Sequence, residues 1–269
     1  MSELYEKLKI GQRWMWAQGD YTRVAEVLEP HAEALADACA IVPGTRVLDV
    51  AAGNGNFSMA AARRGAMVTA TDLTPRMVEL GRARSAGVAN IEWSEADVEQ
   101  LPFADAAFDI VASVFGAMFA PRPQLVASEM FRVARAGGVV AMANYSPGGH
   151  LGRMSELMAA FSTSPSYDMP TPFLWGDEDE ARRRLSRASS IEVAHRTLYF
   201  ESASVKSFVD FWEATNAPLA ALKAMQPPEK YQELLTKTAQ LVDELNESND
   251  GRVKLASPYI LVLARTPIS

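Results

Sequence analysis

The sequence predicts an α/β protein built on a mostly parallel sheet, and three observations carry that expectation. Short apolar runs alternate with helix-patterned segments as far as residue 145. A turn containing two glycines, Gly53 and Gly55, follows the first of these runs. Two acidic residues, Asp72 and Asp97, follow later strand-like runs. Alternating strands and helices lead to parallel strands joined by right-handed crossovers. In open sheets of this kind, ligands settle at the carboxyl ends of strands near a switch in strand order.

Residues 3 to 18 read as one helix and Asp20 to Ala40 as a second, with Val24, Val27, Leu28, Leu35 and Ala38 on one face. Pro43-Gly44 closes the second helix, and Thr45 to Val50 is the first strand. Phe57 to Gly65 is a crossover helix ending on a glycine suited to a left-handed cap. Met67 to Thr71 is strand two. Thr74-Pro75 then opens a helix with an N-cap hydroxyl and a first-turn proline. Ile91 to Ser94 and Phe108 to Val114 are the next strands. A loop with Pro121 and Pro123 leads into a helix that runs to Arg135. Gly137-Gly138 turns into strand five, Val139 to Asn144.

Beyond residue 145 the rhythm changes. Helices are expected at 151 to 163, 177 to 187, 204 to 224 and 228 to 247, with strands at 191 to 200 and from Tyr259 to Arg265. The chain thus divides into a helical cap (1–42), a nucleotide-type core (43–145) and a remainder (146–269). That remainder completes the sheet and carries a helical lid insertion at about 202–250.

Of the 269 residues, 48% are hydrophobic, enough for a substantial core. A formal net charge of −7 disfavours a nucleic-acid surface, which needs clustered cations. Arg182-Arg183-Arg184 and Arg187 follow Asp177-Glu178-Asp179-Glu180, which reads as a solvated helix with acids near its amino end. The single cysteine, Cys39, excludes an intramolecular disulfide and a cysteine zinc site, and reads as a small core residue. No amino-terminal stretch resembles a signal peptide and no apolar run reaches spanning length, so a cytoplasmic protein without membrane partners is expected.

Gly53-x-Gly55 alone is weak evidence for any particular nucleotide. Asp49 precedes the glycines, and Ser58 holds the place where a dinucleotide fingerprint wants a third small glycine-like residue. A carboxylate at Asp72 can accept both hydroxyls of a ribose. Asp97 can accept the exocyclic amine of an adenine. Each acid alone also fits a cap or a turn; three at successive strand ends point together to a site.

Four stretches occur in a telling order: Val47-Leu48-Asp49-Val50-Ala51-Ala52-Gly53-Asn54-Gly55, Thr71-Asp72-Leu73-Thr74-Pro75-Arg76-Met77, Ala96-Asp97-Val98-Glu99-Gln100-Leu101-Pro102-Phe103 and Phe108-Asp109-Ile110-Val111. Their order and spacing resemble the class I S-adenosylmethionine-dependent methyltransferases, in particular the ubiquinone/menaquinone-type branch. Phe115 to Pro121, Arg132 to Gly138, Ala143 to Pro147 and Trp16 to Tyr21 look like a bacterial small-molecule subgroup of it. The resemblance implies a Rossmann-like, seven-stranded, mostly parallel sheet whose last strand is antiparallel, with S-adenosyl-L-methionine as cofactor and S-adenosyl-L-homocysteine as product. It places Gly53 and Gly55 against the aminocarboxypropyl group, counts Ala51 and Asn54 of the same turn among the cofactor-binding residues, and has Asp49 support the turn. Asp72 would hold the ribose, Leu73 and Met77 flank the adenine, and Asp97 and Val98 meet its edge. Ser113, Val114 and Phe115 would lie by the methionine portion.

The acceptor is expected to be a small aromatic or lipophilic molecule, methylated on oxygen, nitrogen or carbon in quinone formation or secondary metabolism. Candidate walls are Trp14, Trp16, Tyr21, Met118, Phe119, Tyr145, Phe173, Trp175 and Trp212. His150 and Tyr21 are the candidate catalytic residues. His195, Tyr145 and Tyr167 are further candidate proton acceptors beside His150, and mid-strand His195 suits a structural role. No metal is expected, because no dense His/Asp/Glu cluster is visible. Alternatives are a cofactor-binding enzyme that performs a non-methyl reaction such as a cyclisation, a regulatory binder, and a nicotinamide-dependent dehydrogenase disfavoured by Asp49 and Ser58. Apolar faces on the first two helices are compatible with a homodimer.

Overall fold

A computed structural model describes residues 2–162 and 170–268. The first two helices are α1 (Ser2–Trp16) and α2 (Tyr21–Ala38). The alternating part runs β1 (Arg46–Val50), α3 (Asn56–Arg63), β2 (Met67–Asp72), α4 (Pro75–Arg84), β3 (Ile91–Glu95), β4 (Phe108–Val114), α5 (Pro123–Val133) and β5 (Ala134–Tyr145). Then come α6 (His150–Phe161), α7 (Glu178–Arg184), β6 (Ser190–Ser202), α8 (Val205–Thr215), α9 (Ala217–Met225), α10 (Pro228–Leu245) and β7 (Val253–Arg265). None of the described helices is long and apolar enough to cross a membrane.

The seven strands form one sheet in the order β3-β2-β1-β4-β5-β7-β6. β7 runs antiparallel to both of its neighbours, and the pairings among β1 to β5 are parallel. The order reverses between β1 and β4, which opens a crevice at the carboxyl ends of those two strands. Val47, Leu48 and Val50 of β1, with Val111 and Ala112 of β4, are inaccessible to solvent. Strands covered on both faces read as unbroken apolar runs, which is why they were visible in the sequence.

Several boundaries differ from expectation. Ala38 is exposed, and α2 buries Ala25, Leu28, Ala32, Leu35 and Ala36 instead, a stripe followed by buried Cys39. The helix expected to reach Arg135 stops at Val133, and β5 begins at Ala134. Its pairing with β4 shifts register between Phe108 and Ile110, so the Gly137-Gly138 turn is a bulge within the strand. The helix expected over 204 to 224 breaks at Asn216, whose side chain accepts from the Leu219 N–H at 2.9 Å and restarts the chain as α9. β7 starts at Val253 rather than Tyr259 because its first half pairs with β6 alone.

α8, α9 and α10 lie between β6 and β7 in sequence, and α1 packs against α9. The α1–α2 joint touches the α8–α9 joint, where the Asp20 N–H donates to the Ala214 carbonyl at 3.0 Å. Both helical additions therefore meet above the same end of the sheet.

Candidate active site

One large cavity opens at the carboxyl ends of the parallel strands, walled by α1 and α2 on one side and by α6, α8 and α9 on the other. Its base is the glycine turn. Gly53 has φ +58, and a Cβ there would meet the Tyr21 ring at 2.9 Å. The turn therefore demands glycine both for its backbone conformation and for the close approach of an aromatic side chain. Across the switch point, a Cβ on Gly116 would fall 2.2 Å from the Ala51 carbonyl oxygen. Ala51 (φ 51) and Phe115 (φ 57) both hold left-handed backbones, a strained arrangement of the kind that collects at functional sites.

Asp72 is buried at the end of β2. One carboxylate oxygen accepts from the Gly53 N–H at 2.9 Å and the other from the Thr74 N–H at 2.8 Å. The acid thus ties the glycine turn to the start of α4 while keeping further lone pairs toward the cavity it lines. Burial raises its pKa to about 6, partly offset by those backbone bonds. Asp49 is fully buried and accepts from the Ser58 hydroxyl at 2.6 Å. Burial raises it to about 7, with the neighbouring Asp72 adding to the shift against the Ser58 bonds.

Of the residues expected to hold a cofactor, Ala51, Gly53, Asp72, Leu73, Met77, Asp97, Val98 and Phe115 line this cavity. Asp49, Asn54 and Val114 line a small pocket behind the glycine turn. Gly55 and Ser113 line neither. Gly55, with φ 90, starts α3, and the Ser113 hydroxyl accepts from the Ala117 N–H at 2.9 Å. Asp97 carries a partner that the sequence did not announce: Lys9 of α1 reaches its carboxylate and also lies 2.8 Å from Glu99.

The remaining wall is aromatic. Phe115 stacks on Tyr145 with ring centroids 4.0 Å apart, and Phe173 lies beyond Tyr145 at 6.5 Å. Phe200 meets Trp212 edge-on at 5.8 Å, and Trp16 meets Phe119 at 5.2 Å. Trp16, Tyr21, Phe119, Tyr145, Phe173 and Trp212 line the cavity as the sequence suggested. Trp14, Met118 and Trp175 do not. Trp14 is 44% exposed on the outer side of α1, Met118 is buried in the core, and Trp175 is buried beneath the Arg184 guanidinium. Gln12, Leu151, Ser155, Met158, Phe200 and Thr215 also line the cavity; of these Phe200, an aromatic near the end of a strand, carries the clearest signal in the sequence.

His150 stands behind this wall rather than in it. It is buried against Phe200, Phe208 and Trp212, with Nδ1 2.6 Å from the Ser257 hydroxyl. Its Nε2 meets no hydrogen-bond partner among the described residues. Burial lowers its pKa to about 4, with the Ala256 carbonyl pulling the other way, so the ring is neutral at pH 7. Its position just after β5 suggested the active edge, but as the first residue of α6 it turns toward β6, β7 and α8. Tyr21 is pushed above its ordinary range by burial and then by the Asp72 and Asp49 carboxylates, so its hydroxyl is a donor at neutral pH. His195 is exposed and lies 2.7 Å from Glu178. Tyr167 lies outside the described residues. Among the described residues, no group of three His, Cys, Asp or Glu side chains is arranged to hold a metal ion.

Residues 48–142 match the methyltransferase domain family. The chain is 33% identical over 175 residues to a demethylmenaquinone methyltransferase of Clavibacter sepedonicus, covering 60% of this chain and 71% of that protein. The chain belongs to the class I S-adenosylmethionine-dependent methyltransferases. The cofactor of this methyltransferase fold is S-adenosyl-L-methionine, and the glycine turn with its two cavity-facing carboxylates fits that molecule. An uncharacterized protein of Mycobacterium tuberculosis is 44% identical over 175 residues, 64% of either chain; the match spans less than two thirds of that relative's length. Among solved structures, the YcgJ protein of Bacillus subtilis superposes with a TM-score of 0.62 at 18% identity, over 88% of this chain and 98% of that one. The [4+2]-cyclase SpnF superposes with a TM-score of 0.52 at 17% identity, over 90% and 82% of the two chains. Those two likenesses concern the fold.

Proposed function

We propose that this chain transfers the methyl group of S-adenosyl-L-methionine to oxygen, nitrogen or carbon of a small aromatic or lipophilic acceptor, quinone-like or a secondary metabolite. The observation that carries the reading is the continuity of a single cavity. One end has the glycine turn with Asp72 and Asp97, and the other has Tyr145, Phe173, Phe200 and Trp212. The demethylmenaquinone methyltransferase relative supports an acceptor of quinone type.

In this reading Asp72 accepts the ribose hydroxyls on the lone pairs not spent on Gly53 and Thr74. Leu73 and Met77 pack against the adenine, and Asp97 and Val98 take its amino edge. Gly53, Ala51 and Phe115 pass the methionine portion at close range, while Asp49, Asn54, Gly55, Ser113 and Val114 shape the turn from behind. The bound cofactor supplies a methyl group already activated on a sulfonium. What the protein adds is position: an acceptor atom held about 3–3.5 Å from the methyl and in line with sulfur. Tyr21, packed on Gly53 and protonated at neutral pH, donates a hydrogen bond that orients the acceptor. His150 stiffens the aromatic wall from behind.

The test is incubation with methyl-labelled S-adenosyl-L-methionine and a panel of phenols and quinols, read by mass spectrometry. Labelled acceptor together with S-adenosyl-L-homocysteine is the expected result. An altered acceptor without S-adenosyl-L-homocysteine would instead assign a non-methyl reaction such as a cyclisation, which the same fold carries in SpnF.

A further inference from the structure

Glu99 sits in the Asp97-to-Phe103 stretch but does not line the cavity. Its side chain has no solvent exposure, yet it is a carboxylate, and a buried charge is kept only where it is fully partnered. One oxygen accepts from the Arg122 N–H at 2.5 Å. The other accepts from Arg122 Nε at 2.8 Å, from Arg122 Nη2 at 2.7 Å and from Lys9 Nζ at 2.8 Å. Lys9 belongs to α1, whereas Arg122 follows the Phe115–Pro121 segment on the facing wall.

Three further contacts run between the same two elements. The Arg122 guanidinium lies over the Tyr5 ring at 4.7 Å, Gln12 Nε2 donates to the Phe119 carbonyl at 2.7 Å, and Trp16 meets the Phe119 ring. Lys9, Gln12 and Trp16 line the cavity from one side, and Asp97, Phe119 and Pro121 from the other. α1 therefore bridges the cavity at its cofactor end. The helix ends at Trp16, and Gly19 in the joint that follows has a left-handed backbone.

We propose that Glu99 is a positioning residue that clamps α1 across the cofactor end of the cavity through Lys9, so that α1 works as a strap released and re-seated at each cofactor exchange. This rests on the cavity being the S-adenosyl-L-methionine site. Lys9 spans two carboxylates, so it can yield an Asp97 oxygen to the adenine amine and stay anchored on Glu99. The burial that would lower the Lys9 pKa is outweighed by hydrogen bonds and charge from Asp97 and Glu99, which raise it and keep the clamp charged.

The experiment compares wild type, Lys9→Met, Lys9→Arg and Glu99→Gln. Stopped-flow tryptophan fluorescence gives dissociation of S-adenosyl-L-homocysteine, and turnover is measured across a range of cofactor concentrations. Lys9→Met and Glu99→Gln are expected to speed dissociation on the order of tenfold, the loss of one charge-assisted hydrogen bond. The cofactor KM should rise, and Lys9→Arg should restore both the slow dissociation and the lower KM. Unchanged dissociation in folded Lys9→Met overturns the proposal. If wild type binds no cofactor in calorimetry, the cofactor reading fails on its own. The clamp is then judged by trypsin cleavage at Arg13: faster cutting in Lys9→Met supports the strap, and equal cutting overturns it.

Discussion

Replacing His150 by methionine should flatten the acid limb of the stability curve. The folded imidazole titrates at about 4 against an ordinary 6.5. As pH falls below 6.5 the unfolded chain takes up a proton that the folded chain refuses until about pH 4. Unfolding then consumes protons, and stability falls with pH across that window. From these two values the loss is about 2 kcal/mol by pH 5 and tends to about 3 kcal/mol below pH 4. Asp49 and Asp72 act with the opposite sign. Their folded pKa values are raised to about 7 and about 6, so the stability they contribute is present at low pH and is lost as pH rises through those values. Both proteins contain them, so the comparison cancels their effect. Methionine fills the space among Phe200, Phe208 and Trp212 but leaves the Ser257 hydroxyl unpaired, a constant offset of about 1 kcal/mol rather than a slope. Urea unfolding of both proteins from pH 7 to pH 5 measures the difference. Parallel curves would refute the reasoning, because they would mean that the folded protein protonates His150 as readily as the unfolded chain does.

Gly53→Ala should lower stability by about 1–2 kcal/mol, from a left-handed alanine and a Cβ driven into the Tyr21 ring. Adding Tyr21→Ala should recover only the steric part, as read by thermal unfolding. Asp72→Asn should weaken S-adenosyl-L-methionine binding by at least about tenfold in calorimetry. In wild type, affinity should climb as pH rises through about 6, where this carboxyl ionises, and the climb should vanish in the variant. Cys39 is buried and its thiol is pushed up to about 12 by burial, with Arg64 opposing. Iodoacetamide at pH 7 should therefore spare it in native protein and modify it fully in urea.

The glycine-turn end of the cavity was legible because its parts are local. A strand, an acid and a glycine turn lie within a dozen residues, and Asp72 needs only the end of its own strand to reach Gly53. The aromatic end of the cavity was legible in composition but not in placement. Trp14 and Trp16 are two residues apart on α1, which turns their side chains about 200° from each other, so one faces the cavity and the other solvent. Met118 and Phe119 are adjacent, yet only Phe119 reaches the cavity. Lys9 stands 88 positions from Asp97, and no local pattern marks a lysine on a half-exposed helix as the partner of Asp97 and of the buried Glu99. His150 was drawn to the active edge by its neighbours in sequence, whereas its surroundings come from β6, β7 and α8.

The overhang of the last two strands links these observations. β5 pairs with β7 only from Tyr259 onward, while β6 stays with β7 back to Val253. That free stretch of two strands projects past the parallel sheet and carries Phe200 on one strand and Ser257 on the other. Ser257 fixes His150, and His150 packs on Phe200 and Trp212, which line the cavity. The overhang and the helices inserted between its strands therefore form one unit facing the aromatic end of the cavity. The glycine turn, Asp72 and Asp97 belong to the parallel half and share no hydrogen-bonded strand pairing with it. Substitutions at Phe200 or Trp212 can then reshape the aromatic wall while the Asp72–Gly53 bond stays as it is, so under the proposed function acceptor preference and cofactor affinity should respond to different parts of the chain.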